Sequence, residues 1–250
     1  MGKRPKERVT LPAVVEESWA LGVQEASAVA PLADGSLLVV DDEQGVFHCR
    51  RGETPVVLAA TAGLADLEGL CLDPAGERAW VLAERDGSVW RYQVEGGDFA
   101  AGERLGKLPR LSKTKNQGWE GLALAPAGLF GETAKLLAAH QRKPRVVGVF
   151  DPDDLHEEAL LPIPKDAKKL LGDLNDLAVD PRNGHLFVLS GKAGLLAELR
   201  HDDGSLVTHR MLSVAASKRD VPEGLAFDRG GRLWLVTDGE GWLRRIAVDA

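Results

Sequence analysis

One short segment of this chain recurs at long, regular intervals, and that self-similarity restricts the fold more than any other property. Asp66-Leu67-Glu68-Gly69-Leu70 returns as Trp119-Glu120-Gly121-Leu122-Ala123, then as Asn175-Asp176-Leu177-Ala178, then as Pro222-Glu223-Gly224-Leu225-Ala226. A fainter copy, Glu25-Ala26-Ser27-Ala28-Val29, precedes them. With Ser27, Glu68, Glu120, Asn175 and Glu223 taken as equivalent, the intervals are 41, 52, 55 and 48 residues. Such periods belong to propeller blades or solenoid units, each unable to bury its apolar face alone.

The same signals follow each copy. A Gly/Pro/Asp turn such as residues 180–184 or 228–231 reads as a hairpin, and a second apolar strand comes next, at 36–40, 78–82, 135–139, 185–189 and 232–236. A polar tip leads to a third strand, as in 88–94 and 241–248, and a looser fourth follows, as in 158–162 and 205–212. Five units of four strands predict an all-β fold, a five-bladed β-propeller of four-stranded antiparallel blades, with a six-bladed ring as runner-up. The fifth unit lacks an outermost strand, whereas residues 9–15 precede the first unit, so this N-terminal strand is expected to close the last blade and protect its edge. Residues 1–8 then form a basic tail, 9–250 a single domain, and 165–171 a helical turn within a connection.

Composition bounds the function. At 44% hydrophobic and 28% charged residues the chain can bury a core. The net charge of −7 leaves no basic stripe for nucleic acid. No apolar stretch approaches the roughly 18 residues of a membrane span, and the basic residues at 2–8 lack the apolar segment of a signal peptide. The chain as given is therefore expected in the cytoplasm, or in the periplasm or outside if a leader has been removed. Cys49 and Cys71 have no metal-ligand spacing and are too few for a disulfide scaffold, so both read as buried small apolar residues.

Because successive strands alternate in direction, the start of the first strand and the end of the second share one face of the disc. Glu68, Glu120, Asn175 and Glu223 then surround a central channel, with Ser27 at the fifth place and Asp176 beside Asn175. The tips add Asp42, Glu84, His140, Ser190 and Asp238 as candidate ligand-binding residues, with Glu240, Arg85, Arg142 and Lys192 nearby. Three carboxylates and an amide converging there repel one another unless a cation, protonation or basic partners intervene. Oxygen-only donors suit a hard divalent ion, calcium first. The competing reading is architectural: Glu caps backbone amides of neighbouring blades, Gly permits close approach, and Arg85, Arg142 or Lys192 neutralises the ring. His140, the one histidine expected on this face, is a candidate proton carrier or ligand. Trp119 and Trp242 are expected along the funnel, and Trp80, Trp90 and Trp234 in the core. Residues 151–154 lack the glycine and the final Glu of a calcium-binding hand and read as a solvated turn. Serine-hydrolase, phosphate-loop and dinucleotide fingerprints are absent.

These residues lead to one expectation and two alternatives. The expectation is an acidic funnel holding a divalent cation and a small polar or anionic ligand. The alternatives are metal-dependent hydrolysis of a lactone or ester, and a protein-interaction scaffold using the opposite face or the blade rims.

The Glu-Gly-Leu segments quoted above, with Leu186-Phe187-Val188-Leu189-Ser190, resemble the SdiA-regulated family of bacterial β-propellers, over about residues 26–247. In that family the tips usually carry Asp-Glu or Lys-Glu pairs, whereas here the third reads His140-Gln141-Arg142-Lys143 and the fourth Ser190-Gly191-Lys192. The Glu-Gly and Asn-Asp strand starts are similar, more distantly, to gluconolactonase/regucalcin propellers. That resemblance implies Glu68, Glu120, Asn175 and Glu223 as ligands of a divalent ion. Phytase-like esterase propellers are a further relative, though a shared fold does not carry a reaction with it.

Overall fold

A computed structural model of the chain describes residues 10–114, 117–214, 220–239 and 241–248. The expected basic tail, Val9 and Glu240 lie outside these residues. Two N-terminal strands, β1 (Thr10–Pro12) and β2 (Val14–Ala20), precede five consecutive meanders. Blade one comprises β3 (Ala26–Pro31), β4 (Leu37–Asp41), β5 (Gly45–Cys49) and β6 (Val56–Val57), and blade two β7 (Leu67–Leu72), β8 (Arg78–Ala83), β9 (Ser88–Glu95) and β10 (Asp98–Lys107). Blade three comprises β11 (Trp119–Ala125), β12 (Lys135–His140), β13 (Val146–Phe150) and β14 (Glu157–Pro162). Blade four follows the six-residue helix α1 (Lys165–Leu170) and holds β15 (Asp176–Val179), β16 (Leu186–Ser190), β17 (Leu195–Asp202) and β18 (Ser205–Ser213). Blade five has β19 (Val221–Phe227), β20 (Leu233–Asp238) and β21 (Trp242–Ala247).

The innermost strands β3, β7, β11, β15 and β19 each pack against the next, and β19 returns to β3, which closes a ring of five. The five-bladed expectation holds and the six-bladed one does not. Period-two alternation divides each strand between two inter-blade cores. In β12, Leu136 and Ala138 face blade two, where they join Trp80, Leu82 and Trp119; Leu137 and Ala139 face blade four, where they join Leu177 and Val188. The five apolar clusters fill the five blade interfaces in turn, and the second strands, covered on both faces, are almost wholly apolar. Trp80 and Trp234 are core residues as expected, and both cysteines are buried and free, with burial pushing the Cys49 thiol up to about 12.

Ring closure differs from expectation in one respect. The last blade is indeed completed from the N-terminus, but by β2 paired antiparallel with β21, from Val14 opposite Ala247 to Ala20 opposite Trp242. The residues before it, β1, instead lie parallel to the outer strand of blade four, with Thr10 opposite Met211 and Pro12 opposite Ser213. The N-terminal segment thus switches from one blade to the next at Ala13, whose amide bonds the Ser213 carbonyl at 2.8 Å.

Candidate functional site

The repeated Glu-Gly pair has a structural cause. Pairing between first and second strands is regular except for a register shift in four blades, falling at residues 26/28, 67/69, 119/122 and 222/224. The residues set out of the ladder are therefore Ser27, Glu68, Glu120 with Gly121, and Glu223. A bulge re-aims the side chain it displaces, and here the displaced residues are those expected around the channel. The glycine that follows lets the inner strands touch. A Cβ on Gly69 would stand 2.7 Å from the Glu120 carbonyl oxygen, one on Gly224 2.6 Å from Ala28 Cα, and one on Gly121 2.4 Å from Asp176 Cα.

Blade four departs from this pattern. Asp176 occupies the glycine position and is 1% exposed, and its two carboxylate oxygens accept the amides of Leu177 at 2.8 Å and Leu225 at 2.7 Å. Its neighbour Asn175 is fixed at both ends: its carbonyl accepts the Gly191 amide at 2.8 Å and its amide group donates to Glu223 Oε2. Asn175 therefore positions Glu223 in this arrangement.

Burial dominates the ionisation of the ring. It pushes the Glu68 carboxyl up to about 8, with Asp42 and Glu84 adding repulsion and a hydrogen bond from Ser27 opposing it. Glu223 is likewise raised to about 8, by burial first and then by Glu68, Asp173 and Asp238. Glu120, 6% exposed, is held well above the carboxylate range by burial and by Glu68, Glu84, Glu223 and Asp173. Burial, then Glu25, brings Asp42 to about 7. Two of the three basic side chains expected to neutralise the ring are engaged at its rim: Arg85 pairs with Asp66 at 2.6 Å and Arg142 with Asp173 at 3.4 Å.

Two of the tip residues proposed as ligand contacts are committed elsewhere. His140 is 1% exposed, shares a 2.7 Å hydrogen bond between Nδ1 and the Pro144 carbonyl, and meets the Trp119 ring edge-on at 5.0 Å. It shares the strand face of Leu136 and Ala138, so it points between blades two and three, and burial lowers its proton affinity. Trp119 is buried with it, its indole donating to the Pro109 carbonyl at 2.8 Å, and does not line the funnel. The buried Ser190 hydroxyl donates to Asp173 at 2.6 Å and accepts the Gly172 amide at 3.1 Å. Ser190→Ala should therefore cost about 1–3 kcal/mol in urea unfolding, since it removes one donor from the buried Asp173 carboxylate, which keeps Arg142, and takes the acceptor from the Gly172 amide. Glu84 stays at the mouth, accepting the Gly118 amide at 3.0 Å, and Asp42 and Asp238 stand beside Glu68 and Glu223.

Sequence reasoning passed over Asp173, Gln117, Asp220 and Glu25 as site residues. Asp173, Glu25 and Asp66 each stand two residues before the ring position (Asn175, Ser27 and Glu68), a repeat signal as regular as the Glu-Gly pair. Five buried side-chain atoms among the described residues lack a hydrogen-bond partner: Asp42 Oδ1, Gln117 Oε1, Gln141 Oε1, Arg142 Nε and Asp220 Oδ1. All five belong to residues at the starts of first strands or the ends of second strands, the funnel face of the disc. Among the described residues, two groups of three potential metal-binding side chains bring ligand atoms within 4.8 Å of one another, Glu25–Asp41–Asp42 on this rim and His185–Glu198–His209 on blade four. Glu68, Glu120 and Glu223 are not gathered that closely.

The other mouth of the channel has the opposite chemistry. It opens into a cavity of about 560 Å³ lined by Leu72, Leu124, Val179 and Phe227, with Arg229 of blade five reaching across to the Ala75 carbonyl of blade two.

A sequence profile of the SdiA-regulated family matches residues 56–240, from the last strand of blade one to the tip of blade five. The chain belongs to the SdiA-regulated family. The match is narrower than the span of 26–247 over which the sequence resembles the family, and leaves the fainter Ser27 copy outside it. By sequence, no curated protein matches this SdiA-regulated propeller. By structure it is similar to a glutaminyl cyclase of Myxococcus xanthus, at 16% identity and a TM-score of 0.70, covering 96% of this chain and 98% of that one. It is also similar to a glucose dehydrogenase (13% identity, TM-score 0.62, 93% and 100% covered). A Xanthomonas campestris gluconolactonase aligns at 17% identity and a TM-score of 0.57, with 96% of each chain covered. At these identities the likeness is one of fold. Among the described residues no helix is long and apolar enough to cross a membrane.

Proposed function

We propose that this SdiA-regulated propeller uses its acidic funnel to bind a divalent cation, calcium-like in its preference for oxygen, and through it a small polar or anionic ligand. The observation that carries the reading is the concentration of unpartnered buried polar atoms at one mouth, since such atoms are ordinarily satisfied in native proteins. The same mouth holds carboxyl groups that burial keeps from ionising, a combination that an ion and its water relieve together. The donor set is all oxygen, which fits a hard ion. Glu68, Glu120 and Glu223 would hold the ion, with Asn175 orienting Glu223 and offering its carbonyl's second lone pair. Because the three carboxylates are not drawn together beforehand, bridging water or an inward turn of the side chains completes the shell.

Calorimetric titration of calcium into chelator-treated protein tests this. One equivalent should bind, and Glu68→Gln or Glu223→Gln should weaken it at least tenfold; isotherms indistinguishable from the parent's would remove the site.

A second reading, metal-assisted hydrolysis of a lactone or ester, takes its support from carboxyl groups at about 7 and 8, where proton transfer at neutral pH is efficient. A substrate panel should include a sugar lactone and a glutaminyl peptide, given the gluconolactonase and glutaminyl cyclase of like fold. Turnover that survives chelation would exclude the metal-assisted route.

A further inference from the structure

Away from the funnel, the outer strands of blade four gather a different donor set. His185 stands immediately before β16, Glu198 lies on β17 and His209 on β18. One ligand atom from each lies within 4.8 Å of the other two. His185 Nδ1 is 2.5 Å from Glu198 Oε1, and the His185 and His209 rings are 5.1 Å apart between centroids.

A backbone irregularity produces this grouping. Glu198 is opposite Arg210 and Leu199 opposite Thr208, so His209 is an extra residue in β18. In an unbroken ladder its side chain would face away from that of Arg210. The bulge turns it to the face shared by His185 and Glu198. Glu198 is 3% exposed; its Oε2 accepts from Arg210 Nε, and Oε1, in contact with His185, is the oxygen turned toward the two imidazoles. His209 is exposed, so the cluster opens to solvent on one side.

We infer that His185, Glu198 and His209 form a binding site for a transition-metal ion of the zinc class, independent of the funnel. Two imidazoles and one carboxylate are a donor set suited to zinc, with solvent in the fourth position. Bonds of about 2.0–2.1 Å on a tetrahedral ion place ligand atoms roughly 3.3 Å apart. His185 and Glu198 therefore need to separate by less than about 1 Å from their 2.5 Å contact. Arg210 acts as the outer-shell partner that fixes the carboxylate. An ion here would cross-link three adjacent strands of blade four, where β17 and β18 run on to the Asp202–Ser205 turn at the disc's edge.

The test is titration of the chelator-treated full chain with zinc chloride, and in parallel with cobalt chloride to read the visible absorption of tetrahedral cobalt. One equivalent of cobalt should give that band and zinc should abolish it. His209→Ala, at an exposed position, should weaken zinc binding at least tenfold with circular dichroism unchanged. His185→Gln should do the same, and Glu68→Gln in the funnel should leave the band intact. The inference is overturned if no cobalt band forms, if His209→Ala and His185→Gln bind zinc as tightly as the parent, or if the band disappears in Glu68→Gln.

Discussion

In ion-free buffer the protein should lose stability as the pH rises from about 5 to about 8, and calcium should restore it at the upper end of that range. Glu68 and Glu223 have folded-state values near 8, above the roughly 4.3 of an unfolded glutamate. The native state therefore holds more protons than the unfolded one, and its stability declines with pH. The contribution is complete below the unfolded value and disappears as the pH passes through the folded one. Calcium competes with those protons, so its effect should be slight at pH 5 and large at pH 8. At a hundredfold excess over its dissociation constant an ion adds about 2.7 kcal/mol. For a domain of this size that corresponds to a rise in Tm of roughly 5–10 °C. Glu120→Gln removes a buried, repelled carboxyl, and should flatten the pH dependence while reducing the calcium effect. A pH slope with no response to calcium, magnesium or manganese at pH 8 would leave a protonated, purely architectural ring and end the cation reading.

Gly121→Ala should be among the most destabilising single-methyl substitutions in the chain. The added carbon would lie 2.4 Å from Asp176 Cα and 2.3 Å from its Oδ1, both parts of an inner strand fixed by hydrogen bonds to Leu177 and Leu225. Neither neighbour is the free end of a flexible side chain. Overpacking costs typically 1–3 kcal/mol and more where the surroundings cannot yield, so a loss of about 3 kcal/mol or greater is expected. The Tm should fall by roughly 6–12 °C. Gly128→Ala supplies the control: its Cβ meets nothing within 4 Å, and its φ of +88° adds only the left-handed backbone penalty of about 1 kcal/mol. Equal losses for the two would show that the inner strands do not press together as described.

The fold and the ring positions were legible because one constraint writes both. Each inner strand must approach its neighbour and turn one side chain into the channel, so Glu and Gly recur together at the bulges of blades two, three and five, with Ser27 and Ala28 in their place in blade one. Blade four hides the rule by placing the carboxylate of Asp176 where blades two, three and five have glycine, and its ladder has no register shift. The tip residues were read by location alone, without the strand alternation that sets where His140 and Ser190 point. Strand alternation, available from the sequence, sends His140 the way of Leu136 and Ala138, and Ser190 the way of Leu186 and Val188. The N-terminal crossover was beyond the pattern. A three-residue parallel pairing between Thr10–Pro12 and Met211–Ser213 has no local periodicity to announce it.

That crossover has a consequence for biogenesis. The strand that leaves the ribosome ahead of all five meanders finds its antiparallel partner only when Trp242–Ala247 has emerged. Until then the nascent chain presents two raw sheet margins, one at each extremity of an unclosed arc. Joining them is a late, long-range event of the kind that slows folding, and the translating cell must keep those margins apart from other chains until the circle is sewn.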